Sequence, residues 1–261
     1  NGYPTLTWIA EAEPLPPLPQ GSEVTKHPLL QENPLGYTEI RTPADFMKIA
    51  NNPSGKYILM NNISLEQVKL PEGQTSYIMK EFKGELDGNN QVIHGLRASL
   101  FDFINGTTSK KATVKNLRIQ NVFVDARYKY DQWMGETRTE ANGLARKISY
   151  GNLNSIYMNL VKLNGGNNTA VLGGLVENTY IGKVWMEGID INSDISVEIL
   201  GKFNQIGGAV GNLSGKNSKF EDSYVSGSIV MDNNEQGGAV GKLTDATIRN
   251  VVSNVQGRSN K

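Results

Sequence analysis

Apolar positions spaced by steps of three, two, three and two recur along this chain, and neither a helix nor a flat strand accommodates them. One copy is Val114, Leu117, Ile119, Val122 and Val124. The next is Leu153, Ile156, Met158, Val161 and Leu163, and a third is Ile181, Val184, Met186, Ile189 and Ile191. At about 100° per residue these positions scatter around a helix and build no apolar stripe. A straight strand returns a side chain to the same face every second residue throughout. Twos interrupted by threes describe short strands joined by bends, with each apolar side chain returned to one interior, which is the winding of a β-solenoid coil. A later copy, Phe220, Ser223, Val225, Ser228 and Val230, keeps the steps with two serines. The last, from Ile248, keeps Val251 and then drifts.

Glycine-led motifs alternate with these ladders: Asn142-Gly143-Leu144-Ala145, Gly173-Gly174-Leu175-Val176, Gly207-Gly208-Ala209-Val210 and Gly237-Gly238-Ala239-Val240. Gly143, Gly173, Gly207 and Gly237 stand 30, 34 and 30 residues apart, a period typical of stacked supersecondary units. Asparagine sits beside the ladders in Lys115-Asn116-Leu117, Leu153-Asn154-Ser155 and Arg249-Asn250-Val251. Asn and Gly enter the left-handed backbone region that tight corners require. The same asparagines either hydrogen-bond from coil to coil as a stack or serve as plain turn residues.

The front of the chain has a different character. Glu13-Pro14-Leu15-Pro16-Pro17-Leu18-Pro19 is a polyproline-type stretch, and residues 1–36 read as a Pro-rich linker or extended segment. Thr42-Pro43-Ala44-Asp45 then carries a helix start: Thr42 as cap, Pro43 in the first helical position, Asp45 at the positive end of the dipole. Phe46, Ile49 and Ala50 share one face before Asn51-Asn52-Pro53 ends the helix and Tyr57-Ile58-Leu59-Met60 begins a strand. A helix ahead of a β-run caps the open end of a solenoid. Residues 37–261 are therefore expected to form an all-β, right-handed parallel β-solenoid (β-helix) with a short N-terminal capping helix. The handedness comes not from the spacing but from the general rule for parallel crossovers and from the family resemblance given below.

Composition removes several function classes. With 26 basic and 26 acidic side chains, bulk charge draws the chain neither to nucleic acid nor to an anionic membrane. No apolar run reaches membrane-spanning length. There is no cysteine; a long repetitive β core manages without disulfides, and their absence fits an exported protein of a Gram-positive bacterium. The start at Asn1, without a signal peptide, suggests an excised fragment.

Catalytic and metal signatures are sparse. The two histidines, His27 and His94, do not make a transition-metal site of the usual composition, and His94 reads as a strand-end or corner residue. Asp190-Ile191-Asn192-Ser193-Asp194 opens like a calcium loop but lacks the following glycine and the distal glutamate, and Ile191 belongs to the ladder, so a plain turn is expected. No Gly-x-Ser-x-Gly elbow and no phosphate loop is present. Glu85 with Asp87, or Glu221 with Asp222, are the carboxylate pairs a polysaccharide-cleaving β-helix would use, although isolated acids on a solenoid are usually solvated surface. No catalytic residue, metal ligand or cofactor site is assigned to this chain.

One segment interrupts the repeat. Near 125–142 stands Asp125-Ala126-Arg127-Tyr128-Lys129-Tyr130-Asp131-Gln132-Trp133-Met134, with Arg138 further on. Insertions into solenoid repeats map to surface loops and often bind, and Tyr, Trp and Arg dominate interface energetics. Arg127, Tyr128, Tyr130, Trp133 and Arg138 are therefore the candidate protein-binding residues. The alternative is that Tyr130, Trp133 and Met134 fold back and seal the solenoid's side.

The glycine-led copies, clearest in Gly207-Gly208-Ala209-Val210-Gly211 followed by Phe220-Glu221-Asp222-Ser223-Tyr224-Val225-Ser226-Gly227, resemble the GLUG repeat. Upstream, the chain is similar to the N-terminal module of streptococcal zinc metalloproteases, the immunoglobulin A protease group. The matching residues are Thr42-Pro43-Ala44-Asp45-Phe46, Gly55-Lys56-Tyr57-Ile58-Leu59-Met60, Phe82-Lys83-Gly84-Glu85-Leu86-Asp87-Gly88-Asn89-Asn90 and Ile93-His94-Gly95-Leu96. The resemblance implies a cell-surface or secreted zinc endopeptidase acting on host glycoproteins such as immunoglobulin A, with zinc held by a His-Glu-x-x-His helix elsewhere in the parent. This chain departs from that motif entirely. What carries over is a non-catalytic region that positions substrate or scaffolds the protease domain. An adhesin or stalk module, and a carbohydrate-active β-helix, are the other classes the repeats suit.

Overall fold

The structure, a computed structural model, describes residues 36–126, 129–131, 136–138, 140–166, 168–193, 205–231 and 235–258. It opens with strand β1 (Thr38–Ile40), helix α1 (Pro43–Met47) and a 3-10 turn over Lys48–Asn51. The first coils follow as β2 (Lys56–Leu59), β3 (Ile63–Ser64), β4 (Ser76–Ile78), β5 (Glu85–Asp87), β6 (Val92–His94) and β7 (Ser99–Asn105). Then long strands alternate with short ones: β8 (Ala112–Asp125), the pair β9 (Lys129–Asp131) and β10 (Glu136–Arg138), β11 (Ala145–Ser149), β12 (Gly151–Asn164), β13 (Gly173–Glu177) and β14 (Tyr180–Ser193). The chain continues through β15 (Gln205–Gly207), β16 (Val210–Ser214), β17 (Lys219–Met231), β18 (Glu235–Gly237), β19 (Val240–Thr244) and β20 (Thr247–Arg258).

The pairing makes this a parallel β-solenoid. One sheet runs β1-β2-β5-β8-β12-β14-β17-β20, with β6 bridging β3 and β8, and a second runs β4-β7-β11-β13-β16-β19. A third, narrower side is closed by the bridges Asn142↔Ala170 and Ala170↔Gly207 and by β15 against β18. Among the described residues every strand pair is parallel except β9–β10.

The ladders line up coil upon coil. Val114, Leu153, Ile181 and Phe220 are register partners, as are Ile119, Met158, Met186 and Val225, and all are buried in a single core. Each such apolar side chain contributes roughly 1.5–3 kcal/mol on burial, so the column is the main stabilising term.

The steps of three have a backbone cause. Asn116, Ser155, Lys183, Asp222 and Asn250 occupy one corner with φ between +50° and +55°. Asn121 (+55°), Leu160 (+53°) and Gly188 (+61°) occupy the next. A left-handed residue turns the chain by one extra position, so the next inward side chain comes three residues on instead of two. Tyr150, Asn178, Gly215 and Asp245 make the third corner, between the short and long strands. Asn116 and Asn250 are corner residues as expected, but in the middle copy Ser155, not Asn154, takes the left-handed conformation. The corner hydrogen bonds are mixed rather than an asparagine stack: Asn116 Nδ2 donates to Asp87 Oδ1 at 3.1 Å, and Asn250 Nδ2 to Asp222 Oδ1 at 3.0 Å.

Two expectations are corrected. In β17 the inward positions after Val225 are Gly227 and Ile229, opposite Ile189 and Ile191, not Ser228 and Val230. The register slips between Met186 and Ile189 because β17 spends two residues where β14 spends three. Gly227 permits this: a Cβ there would lie 2.1 Å from the Ile189 carbonyl oxygen. Asp190 to Ser193 is strand rather than turn, with Ile191 fully buried against Leu163. Ser223 does face inward as expected; its hydroxyl accepts from Val184 N at 3.0 Å and donates to Glu221 O at 2.7 Å, which makes a buried polar group tolerable.

The first coil is closed by α1. Thr42 Oγ1 accepts from Asp45 N at 3.1 Å while Asp45 Oδ2 accepts from Thr42 N at 3.2 Å, a complete capping box with Pro43 inside it. Phe46 and Ile49 are fully buried, and Phe46, Phe101 and Phe82 form a ring cluster with centroids 6.2 and 4.8 Å apart. Outside, the Tyr37 hydroxyl donates to Glu85, and burial followed by that bond pushes the phenol up to about 12.

Candidate functional site

The interruption near 125–142 contains an antiparallel hairpin. Glu136 pairs with Asp131, Thr137 with Tyr130 and Arg138 with Lys129. Of the candidate binding residues, Tyr130 and Arg138 thus lie on opposite strands at neighbouring register positions. Arg127, Tyr128 and Trp133, with Met134, lie outside the described residues.

Both feet of the hairpin are tied to the stack. At one, Ala126 N donates to Asn164 O at 2.9 Å and Asn164 Nδ2 to Asp125 Oδ2 at 3.3 Å. At the other, Ala141 N donates to Thr169 Oγ1 at 3.2 Å, and Glu140 lies 4.0 Å from Arg146 Nε. Arg146 is the anchor. It donates to Asp102 Oδ1 at 2.9 Å and its guanidinium lies 4.3 Å from the centre of the Phe103 ring. Arg146 and Asp102 are largely buried, so their charge-assisted bond stays little screened by water. No sequence signal marks this pair, because Asp102 and Arg146 stand 44 residues apart and meet only through coil register.

A second feature missed by sequence reasoning is an outward column on the long sheet. Arg118, Tyr157, Trp185 and Tyr224 are register partners on successive coils. Trp185 and Tyr224 stack with centroids 4.6 Å apart and planes inclined by 32°. Glu187 holds the rings in place, accepting from Trp185 Nε1 and, at 3.4 Å, from the Tyr157 hydroxyl. Burial, then the Glu187 charge and hydrogen bond, raises the Tyr157 phenol, while burial lowers the Arg118 guanidinium.

The carboxylates weighed for glycan cleavage are engaged structurally. Lys115 Nζ lies 2.6 Å from Glu85 Oε1 and 3.5 Å from Asp87 Oδ2. Burial pushes Glu85 up, but Lys115 and Tyr37 bring it below the usual carboxylate range. Glu221 pairs with Arg249 at 3.6 Å and Asp222 with Asn250. His94 ends β6 beside the left-handed Gly95. Among the described residues no three His, Cys, Asp or Glu converge, so these residues do not fit a zinc centre. Among them too, no helix is long and apolar enough to cross a membrane.

Comparison with known proteins agrees with this geometry. Residues 44–156 match the family model for the M26 IgA1-specific metallo-endopeptidase N-terminal region. The chain is 33% identical over 214 residues to an immunoglobulin A1 protease of Streptococcus sanguinis, covering 77% of this chain and 10% of that protein. It is 29% identical over 198 residues to the zinc metalloprotease ZmpC of Streptococcus pneumoniae, covering 72% of this chain and 9% of that protein. It spans about a tenth of the length of the curated relatives it matches. A solved structure titled IgA1 protease superposes with a TM-score of 0.62 at 19% identity, over 85% of this chain and 20% of the other, a likeness of fold. Through residues 44–156, with relatives that extend the match over most of its length, the chain belongs to the N-terminal region of the M26 IgA1-specific metallo-endopeptidases.

Proposed function

We propose that this chain is a non-catalytic substrate-positioning and scaffolding domain of a bacterial cell-surface or secreted zinc metalloprotease that acts on host glycoproteins such as immunoglobulin A. Zinc and the hydrolytic groups belong to another domain of the parent: His27 and His94 are the only histidines here and neither starts a His-Glu-x-x-His motif. The observation that carries the reading is a hairpin, β9–β10, standing on a stiff parallel stack with its feet tied to the coils through Asn164, Thr169 and Arg146. A rigid platform suits a large folded substrate, because little ordering entropy is lost in the stack when a substrate is engaged. Arg127, Tyr128, Tyr130, Trp133 and Arg138 are the residues proposed to make the contact.

The test replaces Tyr128, Trp133 and Arg138 with alanine in the full-length protease. KM for intact immunoglobulin A is expected to rise roughly tenfold or more, with kcat on a short peptide and the thermal midpoint unchanged. An unaltered KM in the folded variant removes the assignment.

A further inference from the structure

The second corner of the long sheet carries an anomaly. Its register positions are filled by Asn121 and Gly188 in the flanking coils, residue types that accept the left-handed region readily. Between them stands Leu160 at φ +53°, 65% exposed, the one aliphatic residue with positive φ among the described residues. Leucine gains nothing from solvent there and strains its own backbone. Strain retained at an exposed position points to a role outside the domain's own packing.

Its neighbourhood points the same way. Phe123, 39% exposed, lies on the adjacent coil two positions beyond Asn121, the register partner of Leu160. Across the corner stands the column of Tyr157, Trp185 and Tyr224, its rings already fixed by stacking and by Glu187. The bordering charges answer each other, Lys162 lying 3.6 Å from Asp190. The result is a preorganised apolar ridge of aromatic and aliphatic side chains, bordered by Arg118 and Lys162 on one hand and Glu187 and Asp190 on the other, charges that balance. Such a ridge has the composition of an interface centre but no field to steer a diffusing partner.

We infer that the ridge formed by Phe123, Leu160, Tyr157 and Trp185 docks another folded domain of the same polypeptide, through an apolar concavity on that domain. Two observations favour a tethered occupant over a free one. The relatives are about ten times longer than the matched region, so chains of this kind carry much further polypeptide. A tether also supplies an effective concentration high enough for a small, uncharged contact to be occupied. The inference rests on the reading that the chain works inside a longer protease. The hairpin variants test that reading through substrate, whereas the experiment below needs none, so the two can fail separately.

The chain has no cysteine, so Leu160→Cys introduces a single maleimide target, with Asn217→Cys in the exposed turn before β17 as control. Labelling at each site, located by peptide mapping, is compared between this chain alone and the full-length protein. Labelling of Leu160→Cys is expected to slow at least tenfold in the full-length protein, while Asn217→Cys reacts equally in both. Equal rates at position 160 overturn the proposal. In a second measurement, Leu160→Asn in the isolated chain should raise the thermal midpoint by roughly 2–4 °C, and in the full-length protein it should expose the ridge to hydrogen exchange. A lowered midpoint would show that Leu160 serves this domain's own fold, and would overturn the proposal as well.

Discussion

The first and last described coils bury their cross-sections in opposite ways. At the first coil, α1 lies over the column and Phe46, Ile49 and Phe82 are shielded completely. In the last described coil β20 pairs with β17 and β19 with β16, and among the described residues Leu243 is 47% and Ile248 39% exposed while Val251 and Val255 are partly buried. Repeats alone cannot finish a solenoid, because each coil is completed by its neighbour. A non-repeating element is needed wherever the stacking stops.

Substitutions in the two coils break or sharpen this contrast. The largest effect is expected from Phe46→Ala, which removes a ring packed on Phe101 and leaves a cavity; about 3–5 kcal/mol should be lost. Ile248→Ala, an equally apolar position in the last described coil, should cost under about 1 kcal/mol. Urea titration of both variants measures the difference, and equal losses would refute it.

Next in size is Gly227→Ala, which tests whether the register slip in β17 depends on glycine. A methyl there meets the Ile189 backbone, and φ is +149°, so a loss of roughly 1–3 kcal/mol is expected. A neutral result would mean the coil can re-register at that corner.

The smallest effect belongs to the capping box. Thr42→Ala should cost about 1 kcal/mol, with faster amide exchange confined to α1. Lys48 and Thr42 hold the exposed Asp45 carboxyl down at about 2. A carboxyl depressed on folding stabilises above its unfolded pKa of about 3.9 and loses that contribution as pH falls through about 2. The protection of the α1 amides, measured relative to their intrinsic exchange rate at each pH, should therefore stay high at pH 5 and fall towards pH 2, while β20 shows no matching step. A flat profile in α1 would show that the box does not hold the cap.

Family likeness and fold came from the same residues for different reasons. Thr42-Pro43-Ala44-Asp45-Phe46 is legible because a capping box is a local device, complete within four residues and independent of the rest of the chain. The ladders of Val114, Leu153 and Ile181 are legible because every coil must refill the same interior, which writes the packing into the sequence as a period. The slip at Gly227 was hidden because Ser228 and Val230 continue the numerical pattern while Gly227 and Ile229 continue the spatial one.

The sequence by itself determined that bent strands wind around one apolar column, and that a helix precedes them, because both follow from spacing along the chain. Only the tertiary structure decided which residue turns each corner, since Ser155, Lys183 and Leu160 take left-handed backbone against their own preference. It also decided that Arg146 meets Asp102 and that Tyr157, Trp185 and Tyr224 form one column. Those contacts join residues one coil apart, and the length of each coil, set by its loops and slips, is what brings them into register.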